Sequence, residues 1–464
     1  MANLKYPTDF ELITLALITS GGNVVFDIKQ QLVELSYFED LFNNTISGKV
    51  VLGDAIGILN LGALNGTEFI KITFRKVGSF QNSVDRTFRV FSVTNRKIDK
   101  NLNKESYTLE FCSEEFLLSE QYRVCKAYKT KKISEIIKDI FESFLLMSNN
   151  KKIYIENTKG TFDFVLPNKK IFETINWLTN YAISDSKNGA DMLFFENRNG
   201  FNFISLQTLK QNTPKFIFSY NPKNISNSDM LKNLTNILNV ELLEYFDTLG
   251  ALNKGTFGNR VITIDPIFRR KNIVDYNYSE KFKDLVALNQ YAVVNNYQNR
   301  FQKALYDAPP DTMEAGALRM VVTNSSEDTI TLQDGSTLDD RDAVAKDFFI
   351  EKSLPSRVSL LSLNAYTRLK ITIPGNSDLT VGDIIQLNFD TIMPLNNPSN
   401  PSSGSRGQDA YYSGRYIVSA IRHIITPGSY ISVAEVCKDS VAGKLPNSKY
   451  GASTTLGSVV NGNQ

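Results

Sequence analysis

Residues 161–209 read TFDFVLPNKKIFETINWLTNYAISDSKNGADMLFFENRNGFNFISLQTL. Apolar residues occupy every second position of 162–166, which predicts a half-buried strand that ends before Pro167. Over 172–182, apolar residues recur at spacings of three and four, which predicts a helix with one buried stripe. Trp177, the only tryptophan of the chain, falls in this helix, and we expect it to be a core residue.

A hairpin is predicted directly after the helix. Two apolar runs flank the pair Asn199-Gly200, which can supply the positive φ angles of a tight type I′ turn. Phe201 and Phe203 place aromatic side chains on the second strand. The strand, the helix and this aromatic hairpin are therefore expected to share a small core of their own.

The composition is that of an ordinary globular protein. Of 464 residues, 42% are hydrophobic and 22% charged, and 51 Lys+Arg against 49 Asp+Glu give a net charge of +2. This balance argues against a dedicated binder of the nucleic-acid backbone. The length predicts roughly three or four domains. No apolar run reaches the roughly 18 residues of a membrane span, and the amino terminus lacks the basic region of a signal peptide.

The first half of the chain divides into a β region and an α+β region. Short alternating runs punctuated by Gly and Asn turns predict a first β-barrel domain over residues 1–118. An α+β domain over 119–213 follows. Its apolar stripe over 133–144 predicts a helix that packs on the Trp177 helix, with Thr130 or Ser134 as its cap.

The second half of the chain returns to β patterns. Residues 214–264 and 353–440 predict a second barrel, which a mixed insert over 265–352 interrupts. The segment 441–464, rich in Gly, Ser, Thr and Asn, predicts a flexible tail that could attach a partner.

Two motifs mark the second barrel. In ITIPGNSDLTVGDII, which begins at residue 371, Pro374-Gly375 turns one strand and Gly382-Asp383 leads into the next. SGRYIVSAIRH, which begins at residue 413, is predicted to lie on a further strand.

These motifs, together with IFETINWLTNYAI and FFENRNGFNFISL, resemble the baseplate hub proteins of contractile-tailed bacteriophages of the T-even type and the related hub domains of secretion-system spikes. They occur in the family's order. The resemblance extends loosely over 1–440 but matches no pattern in 265–352. It implies structural roles for a set of signature positions: Pro167, Trp177, Gly200, Phe201, Phe203, Pro374, Gly375, Gly382, Asp383, Gly414, Tyr416 and His423.

The resemblance implies a mainly β fold with α+β inserts, in which two tail-tube-like barrels per chain build a pseudo-sixfold ring as a homotrimer. Such a ring would adapt the sixfold tail tube to the threefold central spike in the baseplate of the virion, after assembly in the host cytoplasm. The implied partners are the central spike, the tail tube and the baseplate wedge proteins, with the tape-measure protein as a further candidate. DNA would only pass through the lumen.

Two alternatives stay open. A hub or spike component of a contractile secretion or bacteriocin particle would share these domains, although no repetitive β-needle pattern follows residue 440. A β-rich carbohydrate-active enzyme of the cell envelope would need a pair of carboxylates. Adjacent acids such as Glu114-Glu115 do not suit this chemistry, because neighbours on a strand point to opposite faces.

The sequence offers little for catalysis. His423 is the only histidine, so a multi-histidine metal site is excluded, and its alternation with isoleucines is typical of a packed strand residue. Cys112, Cys125 and Cys437 are far apart and lack CxxC spacing, and no glycine-rich phosphate-binding motif is present. We therefore expect a non-enzymatic structural protein with no cofactor and no bound metal.

Overall fold

The fold is mainly β, with several sheets and small helices. The computed structural model describes residues 6–19, 24–61, 64–77, 83–99, 104–145, 151–187, 189–220, 233–266, 269–293, 318–322, 329–331, 337–339, 350–390, 409 and 411–443.

The amino-terminal region forms seven strands and two short helices. In chain order they are β1 (Phe10–Ile18), β2 (Val25–Asp27), β3 (Leu32–Asp40), β4 (Ser47–Asp54), α1 (Ile58–Leu61), β5 (Phe69–Lys76), β6 (Val84–Asp99), β7 (Lys104–Cys112) and α2 (Glu114–Gln121), with a 3₁₀ turn at Lys29–Gln31.

The α+β region follows with short strands around two helices. Its elements are β8 (Arg123–Val124), β9 (Ala127–Lys131), α3 (Ile133–Phe144), β10 (Lys152–Ile155), β11 (Phe162–Val165), β12 (Lys169–Lys170), α4 (Ile171–Thr179), β13 (Met192–Asn197), β14 (Gly200–Ser205) and α5 (Leu206–Lys210).

The remaining elements alternate between the main sheet and the insert. They are β15 (Phe216–Tyr220), β16 (Asn239–Tyr245), α6 (Thr248–Lys254), β17 (Gly258–Asp265), β18 (Arg270–Asn277), α7 (Tyr278–Lys281), a 3₁₀ turn (Phe282–Asp284), β19 (Tyr291–Ala292), β20 (Leu318–Val322), β21 (Thr329–Thr331), β22 (Thr337–Asp339), α8 (Ile350–Leu363), β23 (Thr367–Pro374), β24 (Ile384–Phe389), β25 (Gly414–Thr426), β26 (Ser429–Lys438) and β27 (Ser440–Val441).

One sheet spans both ends of the chain. Its strand order is β16-β23-β26-β25-β3-β4-β7-β6-β5-β1-β2, and β24 adds to β25 while β15 adds to β24. Within the described residues the path stays open at β16 and at β2, and closure of the two predicted barrels is not detected there. The domain boundaries at 118 and 213 remain predictions.

Four apolar cores lie against this architecture, and the smallest lies in the insert around Phe257, Tyr278 and Leu363. The first packs inside β1–β7 and includes Leu35, Tyr37 and Phe111, and the second packs around β23–β26. The third holds the α+β region together, where α3 packs on α4 as predicted. Alternation predicted the first core well, because Ile70, Ile72 and Phe74 all face inward.

The predicted strand, helix and hairpin of residues 161–209 are β11, α4 and β13–β14. The prediction that Trp177 is a core residue is wrong, because its side chain is only half-buried and lies at the rim of the third core. Its ring packs edge-on against Phe164 at 5.3 Å and Tyr181 at 5.1 Å, measured between ring centroids. The helix points its fully buried stripe, Phe172, Ile175 and Leu178, into the core instead.

The predicted type I′ turn of the hairpin is also wrong. Asn197 pairs with Gly200, so the two turn residues are Arg198 and Asn199, and neither has a positive φ. Gly200 itself has φ +137°, and a Cβ atom there would lie 2.1 Å from the carbonyl oxygen of Lys152 on β10. The glycine is therefore required by the close approach of a neighbouring parallel strand.

Helix α3 begins without either predicted cap. Lys132 is the N-cap residue and makes no side-chain cap hydrogen bond. At the start of the helix, the Thr158 hydroxyl instead accepts from the Ser134 N–H at 3.0 Å and donates to the Ser134 hydroxyl at 3.3 Å. The Ser134 side chain thus makes a tertiary hydrogen bond to Thr158 and does not act as a local helix cap.

Strands pair across the predicted boundaries of the insert and the tail. β17, placed by prediction in the second barrel up to residue 264, pairs with β18 and β20 of the insert. Past residue 440, Val441 is buried and pairs with Tyr291. The predicted tail beyond residue 443 and residues 294–317 of the predicted insert lie outside the described residues.

Gly200→Ala should lower the free energy of unfolding by about 3 kcal/mol or more, because the new methyl group meets backbone at a positive φ. Gly66→Ala is the matched control: Gly66 has φ +88° and no atom lies within 4 Å of the place a Cβ would take, so only the backbone strain of about 1–2 kcal/mol applies. Urea unfolding followed by circular dichroism measures both. Equal losses for the two variants would contradict the close approach of β10.

Candidate assembly site

Strand β25 joins the two halves of the main sheet. Along one edge it pairs with β26. Along its other edge it pairs first with β24, from Leu387↔Gly414 to Ile384↔Ile417, and then with β3, from Ala420↔Asp40 to Ile425↔Leu35. The exchange of partners occurs at Ser419, whose carbonyl accepts a hydrogen bond from the Leu41 N–H at 2.8 Å. A single strand thus joins β3 of the amino-terminal half to β24 and β26 of the carboxyl-terminal half in one sheet.

The turn before β24 secures the first of these partners. The Gly382 N–H donates to the Val418 carbonyl at 3.0 Å, and the Val418 N–H donates to the Asp383 carbonyl at 3.0 Å. The Asp383 carboxylate accepts from the Thr380 N–H at 3.0 Å and from the Lys215 ammonium at 2.8 Å. Gly382 adopts φ +85°, which favours glycine. This part of the signature motif therefore has a defined structural task.

Glu39 on β3 secures the second partner. Its buried carboxylate accepts hydrogen bonds from the Tyr37 hydroxyl at 3.1 Å, the Val381 N–H at 3.2 Å and the Thr380 hydroxyl. Burial raises the pKa of Glu39, while these donors oppose the rise. A side chain of the amino-terminal half therefore holds the loop that leads into β24.

His423 lies in the first core, where β25 meets β3. Its Nδ1 atom is 2.8 Å from the Tyr430 hydroxyl and 3.0 Å from the Ser432 hydroxyl. Burial lowers the pKa of His423 to about 3, so the imidazole is neutral. Both His423 and Ser432 are at most 1% exposed, so this pair is closed to a substrate. The prediction of a packed strand histidine is confirmed.

The other signature positions fall in separate places. Pro167 is exposed between β11 and β12, and Phe201 and Phe203 are buried in the third core. Pro374 ends β23, and a Cβ on Gly375 would lie 2.1 Å from the Tyr430 ring. Gly414 (φ +132°) starts β25, and the Tyr416 hydroxyl donates to the Tyr412 carbonyl. The structure brings Gly375 and His423 together around Tyr430. It also gathers Gly382, Asp383, Gly414 and Tyr416 around β24 and β25.

The sequence patterns did not predict one buried ionic cluster, which Lys151 forms with two glutamates. The Lys151 ammonium lies 2.6 Å from the Glu115 carboxylate and 2.9 Å from that of Glu196, and the same Glu196 accepts from the Ile46 N–H at 3.1 Å. The cluster links α2, the start of β10 and β13 to the residue that precedes β4. Nothing in local spacing signals it, because its members are distant in sequence and each resembles an ordinary surface charge.

Two sheet edges carry exposed apolar side chains. The outer edge of β16 has no partner strand among the described residues, and Leu238, Leu242, Leu243 and Phe246 are exposed along it. β5 covers only Val84–Arg89 of β6, and beyond that point Phe91, Val93 and Ile98 are exposed. Unpaired edges with apolar side chains are typical sites of association between chains.

The described residues hold no group of three His, Cys, Asp or Glu side chains placed to bind a metal ion. Cys112, Cys125 and Cys437 are all free thiols, and only Cys125 is exposed. None of the helices in the described ranges is both long and apolar enough to cross a membrane.

His423 should make the stability of the sheet depend on pH. The unfolded chain binds a proton near pH 6.5, whereas the folded imidazole does so only near pH 3, so acidification favours unfolding. Between pH 7 and pH 5 the natural protein should lose about 2 kcal/mol more than His423→Gln. Urea unfolding of both at the two pH values measures this difference, and parallel pH dependences would refute the assignment.

Comparison with known proteins points to phage tails. No protein-family model matches the chain. It is 24% identical over 430 residues to the probable baseplate hub protein gp334 of Vibrio phage KVP40, a match that covers 90% of this chain and 92% of that protein.

Two solved structures share the fold at low identity. The tail protein of Neisseria meningitidis MC58 matches with a TM-score of 0.51 and 9% identity, covering 92% of this chain and 96% of that one. The 43 kDa tail protein of prophage MuSo2 from Shewanella oneidensis matches with a TM-score of 0.50 and 8% identity, covering 92% and 98%. The chain has the fold of phage tail proteins, and its resemblance to phage baseplate hub proteins is confirmed.

Proposed function

We propose that the chain is the structural hub subunit of a phage tail baseplate. It acts in the virion as a homotrimer whose pseudo-sixfold ring adapts a sixfold tail tube to a threefold central spike. The similarity to a probable hub protein over nine-tenths of the chain supports the hub assignment. The observation that carries the symmetry adaptor is a duplication of strand topology within the chain.

Each half of the main sheet repeats the same six-strand unit. Counted in chain order, the amino-terminal unit consists of β1, β3, β4, β5, β6 and β7, and the carboxyl-terminal unit of β15, β16, β23, β24, β25 and β26. In both units the fifth and sixth strands form a hairpin, the fourth pairs with the fifth, the third with the sixth, the second with the third, and the first with the fourth. Only the direction of the first strand differs, antiparallel in β1 and parallel in β15.

The two hairpins also share their register. Phe111 pairs with Val90, and Val436 pairs with Val418. Directly after these pairs, β6 and β25 each contain a one-residue bulge. The next pairs are then Ser92↔Glu110 and Ala420↔Glu435. At this point β7 and β26 also have similar sequences, Glu-Phe-Cys at 110–112 and Glu-Val-Cys at 435–437.

The same turn precedes the fourth strand of each unit. The Val90 N–H donates to the Glu68 carbonyl at 3.0 Å, as the Val418 N–H donates to that of Asp383. Each acid also accepts at its carboxylate from the N–H three residues earlier, which is Asn65 at 3.1 Å for Glu68. Shared topology, bulge and turn support the interpretation of the chain as two copies of one unit.

Two similar units per chain suit the proposed mismatch of symmetries. Three chains present six comparable units to a sixfold tube, yet keep a threefold axis for a spike. The tail tube and the central spike are therefore the proposed partners on opposite sides of the ring, with the baseplate wedge proteins around it.

The face of the sheet opposite the cores fits a lumen. It carries paired charges, such as Arg422 with Glu34 at 2.9 Å and Lys370 with Glu241 at 2.8 Å. A hydrated, self-neutralised surface leaves a passing chain or DNA few places to adhere. If the chain forms the proposed ring, this arrangement supports an orientation in which the charged face lines the lumen.

The proposal predicts that the purified protein has the mass of about three chains of 52.2 kDa each at tens of micromolar. An obligate interface of more than about 2,000 Å² would hold it together. Light scattering gives the mass, and negative-stain electron microscopy should show rings with six lobes and threefold symmetry. A monomer, or a ring with another number of lobes, would overturn the symmetry adaptor.

A further inference from the structure

We propose that neighbouring copies in the ring join by strand pairing, with β16 of one copy adding antiparallel to residues 92–99 of β6 in the next copy. The proposal rests on the trimer of the proposed function and names the surfaces that build it. Its basis is a junction that the chain already contains once.

Within one chain, the two units meet through a fixed pair of strands. The second strand of the amino-terminal unit, β3, adds to the fifth strand of the carboxyl-terminal unit, β25. It does so only beyond the bulge at Ser419, where β24 no longer covers the edge of β25. The junction therefore consists of a second strand, a fifth strand and the bulge that exposes it.

The complementary pair of strands is present but separated. The second strand of the carboxyl-terminal unit is β16, and the fifth strand of the amino-terminal unit is β6. The outer edge of β16 is unpaired in the described part of the chain. On β6, pairing with β5 ends at Arg89. Beyond the bulge at Phe91, this edge of β6 is likewise unpaired among the described residues.

The side chains at the two free edges correspond to buried ones in the existing junction. Through the shared register of the hairpins, Val93 corresponds to Ile421, and Leu242 corresponds to Tyr37. Ile421 is 2% exposed and Tyr37 is 0% exposed, whereas Val93 is 39% and Leu242 is 50% exposed. The free edges thus present apolar side chains at positions that are covered where the junction is formed.

Charge favours the same pairing. Beyond its bulge β6 carries Arg96 and Lys97, and β16 carries Glu241 and Glu244. These side chains have partners within the chain, such as Glu105 for Arg96 at 3.0 Å, so their contribution is to steer the encounter of two copies.

Pairing of this kind uses the free edge of β16 and the free part of the β6 edge in every chain. The sheet would then run from β3 through β4 and β7 to β6, cross to β16 of the neighbour, and continue through β23 and β26 to β25. Closure in a ring covers these two edges, which would otherwise invite open-ended association.

Cysteine cross-linking tests the register. Carrying over the pair Ile421↔Glu39 places Val93 opposite Tyr245 of the next copy. Opposed residues of antiparallel strands have Cα atoms about 4.5–5.5 Å apart, within reach of a disulfide. In a Cys125→Ser background, Val93→Cys combined with Tyr245→Cys should yield covalent dimers and trimers on non-reducing gels. The control combines Val93→Cys with Ile217→Cys, an exposed position on β15, and should stay monomeric on the gel.

An edge variant gives a second, independent measurement. Leu242→Arg should shift the light-scattering mass from three chains towards one, while Leu249→Arg, at an exposed position on α6, should keep the trimer. Circular dichroism checks that both variants are folded. A trimer that persists in Leu242→Arg, or that cross-links no better through 93 and 245 than through the control pair, would overturn the edge pairing and leave the trimer intact. A natural protein that is monomeric would overturn both proposals.

Discussion

The edge of β25 is divided between two partners, and the rest of the structure depends on this division. Ala420–Ile425 hold β3 and with it the amino-terminal half of the sheet, and Gly414–Ile417 hold β24. The bulge at Ser419 makes the exchange possible, because an extra residue re-aims the strand as its partner changes. The connection is made of backbone hydrogen bonds between residues almost 400 positions apart, so neither half can tilt without breaking a ladder.

Two carboxylates secure the segments around this exchange, Glu39 in a buried position and Asp383 in a partly buried one. Glu39 reaches from β3 to the loop before β24, and Asp383 closes the turn from the other side. An unpaired carboxylate at either place would be costly, so every donor must be in position when the halves meet. His423 and Gly375 complete the arrangement through Tyr430, whose ring leaves no room for a side chain at residue 375. The signature motifs of the second half thus converge on one mechanical task.

Features set by local periodicity could be predicted from the sequence, and features set by distant partners could not. The stripe of α3 and the alternation of β5 appear in the structure because each needs only one buried face. The turn before Gly200 was mispredicted because β10, not the turn, determines that glycine. The Lys151 cluster and the repeat of the six-strand unit carry almost no sequence signal beyond Glu-x-Cys at the two hairpins.

The most direct test of the shared strand is native-state hydrogen exchange of the purified protein, followed by mass spectrometry over β3, β25 and β26. If β25 holds both halves, the amides of β3 between Leu35 and Asp40 should be protected to the same opening free energy as those of β26, since the two ladders open together. Exchange of β3 at the rate of a free edge, while β26 stays protected, would contradict a hub unit built on that strand.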